Sequence, residues 1–229
     1  FFLGGIWTDS SPVKTLPDLN PADGSTIAQV HQAQMGDVDK AVDAKEICKE
    51  AYKIDNKILD EYISHWTEYS VPKKTIITES RKTERYIYFV EEGIQKSYYL
   101  NEGKEHIMFF AYNPSFSGVM ESFLTQTPSR YYLETITDSK LLRLSYKKHS
   151  ELIQENRELE TLYRKITEQF LLGIIERHHQ LMAFNTETRF KKFIKRSPHL
   201  LNMIPQKDIA SYLRIDPTNF SKLINTIKL

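Results

Sequence analysis

The chain has 229 residues, 40% of them hydrophobic and 12% aromatic, with 31 Lys+Arg against 30 Asp+Glu for a formal net charge of +1. This composition excludes a disordered chain and leaves no global field to steer the protein toward nucleic acid or membrane. The single cysteine, Cys48, excludes a disulfide framework, a four-cysteine zinc site and a cysteine-ligated iron–sulfur cluster, and no apolar run approaches the roughly 18 residues of a membrane helix. A soluble, cytoplasmic protein is expected.

Residues 1–45 stand apart. They hold four of the 8 Gly and five of the nine Ala but none of the 13 Tyr. Short strands are expected at Phe1–Thr8 and Ser25–His31, with turns at Asp9-Ser10-Ser11-Pro12 and Pro21-Ala22-Asp23-Gly24. Asp37 is placed to cap a helix from Val38. The stretch resembles the N-terminal segment of aldehyde dehydrogenases through Leu3-Gly4-Gly5-Ile6-Trp7, Asn20-Pro21-Ala22-Asp23-Gly24, Ile27-Ala28-Gln29-Val30 and Asp37-Val38-Asp39-Lys40-Ala41-Val42. The resemblance stops there. Cys48 has no nucleophile motif around it and no Gly-rich phosphate loop follows, so the segment reads as foreign to the rest and without activity.

From Ile47 to Tyr69, Ile47, Ala51, Ile54, Ile58, Leu59, Tyr62, Ile63 and Trp66 recur at helical steps, and Pro72 ends the run. The pattern then changes to period two. Strands are expected at Ile76–Thr78, Tyr86–Val90, Ile94–Leu100, His106–Ala111, Tyr131–Ile136 and Leu141–Leu144, separated by turns at Glu92-Gly93, Asn101–Lys104 and Asn113–Ser115. Short strands at this spacing predict a jelly roll or barrel. One long helix is expected from Lys147 to Met182, with Leu152, Asn156, Leu159, Tyr163, Ile166, Phe170, Gly173 and Arg177 stepping by four and three. That is coiled-coil spacing. Leu159, Tyr163, Ile166, Phe170 and Gly173 are the candidate dimer seam, because Gly173 costs about 1 kcal/mol in a helix interior and is better explained where two backbones meet.

Charge is concentrated at the end of the chain. Residues 183–229 carry nine Lys/Arg and three Asp/Glu, a local +6 that leaves −5 for the remainder. A basic tail on an acidic chain is a usual footprint of nucleic-acid binding. Gln206–Leu213 reads as one helix opened by Pro205, Arg214-Ile215 as a turn, and Pro217–Ile224 as a second helix capped by Asp216. Ile209, Leu213, Ile215, Phe220 and Leu223 supply a shared core, and Ala210 fits where crossing helices nearly touch. This is helix-turn-helix spacing. Arg214 takes a turn position that favours positive φ and is expected to be strained. Thr218, Asn219, Ser221 and Lys222 are the candidate base-reading residues, with Gln206, Lys207 and Arg214 toward phosphates.

A roll, a long helix and a helix-turn-helix in that order resemble the Crp/Fnr family of bacterial transcription regulators, the cyclic-AMP receptor protein family. The resemblance runs from about Leu59 to Leu229 and rests on Tyr86–Gly93, Glu102–Glu105, Phe116-Ser117-Gly118, Leu144–Lys148 and Ile204–Leu213. It implies an α+β fold: a cyclic-nucleotide-binding-like β-roll (jelly roll), a long dimerisation helix and a C-terminal winged-helix-type helix-turn-helix. The expected divisions are 1–45, the foreign segment; 46–146, helices and sensor roll; 147–182, dimerisation helix; and 183–229, DNA-binding domain. Implied partners are double-stranded DNA with a palindromic operator, a second copy of the chain, and RNA polymerase.

The family's nucleotide chemistry is not matched. After Gly118 the ribose-binding carboxylate position holds Val119, the Arg-Ser pair is reversed as Ser129-Arg130, and the purine-contacting position falls near Ile174-Ile175. Glu121 and Arg130 restore a site only through a local shift, so Gly118, Glu121, Ser129 and Arg130 are the candidate effector pocket and no cyclic nucleotide is expected. Adjacent His178 and His179 point about 100° apart and do not chelate one metal. Nothing specific marks His65, His106 or His149 as a haem ligand. No catalytic or metal residues stand out, and no enzyme activity is expected. A ligand-sensing or scaffolding roll whose helical tail binds protein is the alternative.

Overall fold

The computed structural model describes residues 54–226, together with strands β1 (Phe2–Leu3), β2 (Ile6–Trp7), β3 (Thr15–Leu19) and β4 (Thr26–His31). β1 pairs with β2 and β3 with β4, both antiparallel. The predicted helix from Val38 and the first part of the 47–69 helix lie outside the described residues. The chain divides into two compact units, one of residues 41–176 and one of 1–40 with 177–229.

Helix α1 (Asn56–Ser64) opens the described part of the first unit. Asp55 caps it, accepting from the Lys57 N–H at 2.7 Å. The helix ends at Ser64, earlier than the periodicity indicates, and Thr67–Val71 is strand β5. Thr67, Tyr69 and Val71 alternate along the same stretch that extends the helical spacing, and pairing with a neighbouring strand decides the outcome.

The roll continues through β6 (Ile76–Thr78), β7 (Tyr86–Glu92), β8 (Ile94–Asn101), β9 (Lys104–Tyr112), β10 (Ser115–Ser117), β11 (Tyr132–Thr135) and β12 (Ser139–Ser145). Two four-stranded antiparallel sheets result, ordered β10-β7-β12-β5 and β6-β11-β8-β9. The expected strands are present. β10 and the short helix α2 (Met120–Thr125) are additions to them.

The pleat sorts side chains into two sets. Tyr88, Val90, Leu141, Val71 and Leu133 fill the inside of the roll. Ile87 and Leu144 point the other way, onto Phe123 and the helices. At the β7–β8 turn Gly93 has φ +91°, and a Cβ there would lie 2.5 Å from the Asp138 carbonyl oxygen, so only glycine fits.

The expected single helix after the roll is two, α3 (Tyr146–Glu155) and α4 (Arg157–Ala183). Asn156 lies between them in an extended conformation, φ −131° and ψ 112°. Its side chain accepts from the N–H groups of Glu158 (2.9 Å) and Leu159 (3.2 Å), so it caps the second helix instead of joining the first. Leu152, Leu159 and Leu162 pack with Ile54 and Leu59 of the same chain.

In the second unit α5 (Thr186–Arg196), α6 (Leu200–Met203), α7 (Gln206–Leu213) and α8 (Pro217–Thr226) enclose a small core. Phe190, Phe193, Leu200, Ile209, Leu213 and Phe220 are all at most 2% exposed. The Phe190 and Phe220 rings meet edge to face at 5.4 Å. Ala210 is fully buried, as its small side chain at the α7–α8 crossing requires.

Candidate effector pocket and nucleic-acid interface

Three of the four residues named for the pocket already have partners. Glu121, on α2, accepts from Arg130 Nε at 3.1 Å and Nη2 at 2.6 Å, at the surface. Ser129 is buried, and its hydroxyl donates to the Tyr131 carbonyl and accepts from the Tyr131 N–H, each at 2.8 Å. Gly118, at φ +135°, leads into Val119, which is 2% exposed. The Val119 N–H points at a carboxylate from another part of the chain, Glu84, with 3.4 Å to Oε2.

Glu84 was not evident as a site residue from the sequence. It is 2% exposed, and it accepts from the Tyr86 N–H (3.2 Å), the Tyr88 hydroxyl (3.3 Å) and the Thr78 hydroxyl as well. Burial lifts its carboxyl above the usual carboxylate range, against the pull of those donors. Beside it is an open cleft of about 380 Å³ lined by Tyr69, Tyr86, Tyr88, Lys82 and Arg143 among others.

On the other face of the roll His149 is 3% exposed, with its Nδ1 3.1 Å from the Tyr62 hydroxyl and its ring 4.4 Å from that of Tyr163. Nε2 has no partner among the described residues. Burial lowers its pKa to about 4. The folded imidazole therefore stays neutral while the unfolded one protonates near pH 6.5. Its contribution is full above that pH, is lost as pH falls toward 4, and then levels off, on the order of 3 kcal/mol in all. Urea unfolding at pH 7 and pH 5 is expected to show a loss of about 2 kcal/mol in the wild type that disappears in His149→Phe. An unchanged difference in the variant would assign the pH dependence elsewhere.

In the second unit Asp216 caps α8, accepting from the N–H groups of Thr218 (2.9 Å) and Asn219 (3.3 Å). Phe220 is buried and Leu223 and Ile224 half-buried, while Thr218, Asn219, Ser221 and Lys222 are exposed. Gln206 and Lys207 are exposed on the first turn of α7. Arg214 is exposed in the left-handed region, φ 55° and ψ 45°, a conformation that costs a non-glycine residue about 1 kcal/mol.

Three arginines, none of them among the expected site residues, brace this helix pair. Arg189 donates to the carbonyls of Phe184 (2.9 Å) and Arg214 (3.2 Å). Arg177 lies 3.7 Å over the Tyr212 ring and donates to the Tyr212 carbonyl, and Arg196 donates to the Tyr212 hydroxyl at 3.0 Å. Burial alone would raise the Tyr212 phenol, but Arg196 and Arg177 bring it below its ordinary value. The sequence marks Arg189 and Arg196 only as basic residues and Arg177 only as a position in the helical stripe, since their partners are carbonyls and rings set by tertiary packing.

Of the seam residues, Leu159 is 4% exposed within its own chain, and Tyr163 and Ile166 pack in the same layer. Phe170 is 44% exposed, followed by Leu171, Leu172, Ile174 and Ile175 at 50–56%. A Cβ on Gly173 would meet nothing within 4 Å. Among the described residues no group of three or more His, Cys, Asp or Glu is placed to hold a metal ion, and no helix is long and apolar enough to cross a membrane.

Residues 68–156 match the family model of the cyclic nucleotide-binding domain. FixK2 from Bradyrhizobium japonicum superposes with a TM-score of 0.60 at 18% identity over 70% of this chain and 83% of that one. The c-di-GMP responsive global regulator CLP of Xanthomonas campestris gives 0.55 at 17% identity over 75% and 90%. A CooA mutant from Carboxydothermus hydrogenoformans gives 0.56 at 15% identity over 72% and 77%. These neighbours include Crp/Fnr family regulators, and at such identities the likeness shows the fold. A stretch of 52 residues is 50% identical to cytosolic 10-formyltetrahydrofolate dehydrogenase of Mus musculus, and 43 residues are 54% identical to the Homo sapiens protein. The chain spans only about 5% of the length of these curated relatives. A dehydrogenase fragment of that length agrees with the resemblance drawn from the first 45 residues.

Proposed function

We propose that the chain is a homodimeric, DNA-binding transcription regulator of the Crp/Fnr type, cytoplasmic, without enzyme activity, whose roll senses something other than a cyclic nucleotide. The observation that carries it is α8: Phe220 fixes one face in the core enclosed by α5 to α8 while Thr218, Asn219, Ser221 and Lys222 are exposed on the other. A helix so braced and so exposed fits a major groove. The solved neighbours support the reading through their shared fold, and one is named as a global regulator. Residues 46–146 form the sensor portion, 147–182 the dimerisation helices and 183–229 the DNA-binding portion, with 1–45 a foreign segment. RNA polymerase is a further partner of such a regulator.

The reading of the pocket follows from where its groups are. Arg130 is paired with Glu121, Ser129 is closed on Tyr131, and Val119 replaces the ribose carboxylate. Duplex binding by fluorescence anisotropy tests the regulator reading. On a selected palindromic duplex, affinity is expected to fall steeply between about 50 and 200 mM salt, through release of counterions from the phosphates. No duplex affinity at low salt would overturn the reading and favour a tail that binds protein.

A further inference from the structure

The cleft beside Glu84 contains a cation that makes no ion pair among the described residues. Arg143 lies on β12, between β5 and β7 in the sheet, and its side chain is on the same side of the strand as Leu141, inside the roll. Its guanidinium carbon sits 4.3 Å from the Tyr69 ring centre and 4.9 Å from that of Tyr86, one ring from each flanking strand. Among the described residues nothing accepts a hydrogen bond from its side chain, and Nε is buried without a partner. Glu84, a buried carboxylate of the cleft, is held by Thr78, Tyr88 and two backbone N–H groups instead.

A guanidinium flanked by aromatic rings presents its N–H edge, and that edge matches the two oxygens of a carboxylate or phosphate. Leaving such donors unmade inside a protein costs free energy. The opening is of the size that takes a small metabolite, three tyrosines line it, and Lys82 and Arg85 join Arg143 against the carboxylates of Glu79 and Glu84, so that cations outnumber carboxylates in the lining. We infer that this cleft is the effector site of the roll and that it takes a small organic oxyanion, a carboxylate or a phosphate, on the fork of Arg143. The role of effector rests on the regulator reading above; binding itself does not, so the two fail separately.

The test is thermal denaturation and calorimetry of the full chain with three probes: benzoate, inorganic phosphate and cyclic AMP. Benzoate or phosphate is expected to raise the melting temperature at about 10 mM, the range of a weak mimic, and the stronger of the two assigns carboxylate or phosphate. Arg143→Gln is expected to weaken the stronger probe at least about tenfold. Arg143→Lys keeps the charge and loses the fork, so it too is expected to weaken binding and decides the matter if the glutamine variant does not fold. Arg130→Gln is expected to leave binding unchanged. No stabilisation by either anion, equal binding in Arg143→Lys, or an equal loss in Arg130→Gln would overturn the assignment, as would cyclic AMP binding that depends on Arg130.

Discussion

Phe170→Glu is expected to convert the proposed dimer to monomers at micromolar concentration, read by light scattering. One turn of α4 carries Phe170, Leu171, Leu172, Ile174 and Ile175, all between 44% and 56% exposed. At 100° per residue these side chains point to most of the helix circumference, and a helix apolar all round is a buried one. Covering what remains exposed on two such turns contributes on the order of 10 kcal/mol gross, against an association cost of about 4–15 kcal/mol. The margin is small. A glutamate on each copy removes two of the largest apolar contacts and leaves two charges in the seam, at several kcal/mol per ion. Leu159→Glu behaves differently, because Leu159 is buried in its own chain and its loss acts on folding. A clean Phe170→Glu dimer would move the seam off this turn.

That contrast marks where the sequence was legible and where it was not. Leu159, Tyr163, Ile166 and Phe170 lie on one helical stripe, and periodicity treats them alike. Which part meets the chain's own roll and which part stays open depends on Leu152, Ile54 and Leu59 arriving from elsewhere. The same limit hid the break at Asn156, whose place in the stripe suits a continuous helix but whose amide group caps a new one. Strand β5 was masked by Tyr62, Trp66 and Tyr69, which keep helical spacing through residues that pair as a sheet. The strands from Tyr86 onward were readable because nothing competes with their period of two. Asp216-Pro217 was readable because capping is local chemistry. Arg143 was not, since in a strand pattern an arginine reads as an outward polar position, and only the pairing of β12 with β5 and β7 puts it between two tyrosines.

Replacing Lys222 with alanine is expected to cost about 1–3 kcal/mol on the selected operator and to blur preference at one base pair. The argument begins at the capped end of α8. Asp216 fixes the first turn, and Phe220 anchors one face in the core against Phe190. The exposed side chains that remain, Thr218, Asn219, Ser221 and Lys222, are the ones able to reach base edges if the helix enters the major groove. An ammonium reaches the O6 and N7 acceptors of guanine, with less geometric restriction than a guanidinium, and an amide such as that of Asn219 can pair with adenine. Lys207, exposed at the start of α7, is by contrast the proposed phosphate contact. Its replacement by alanine is expected to weaken every sequence alike and lower the salt slope by about one. A dimer carries two such helices about 34 Å apart, so both effects are read on a palindrome whose half-sites are one turn apart. Unchanged affinity and base preference for Lys222→Ala would mean that another element reads the bases.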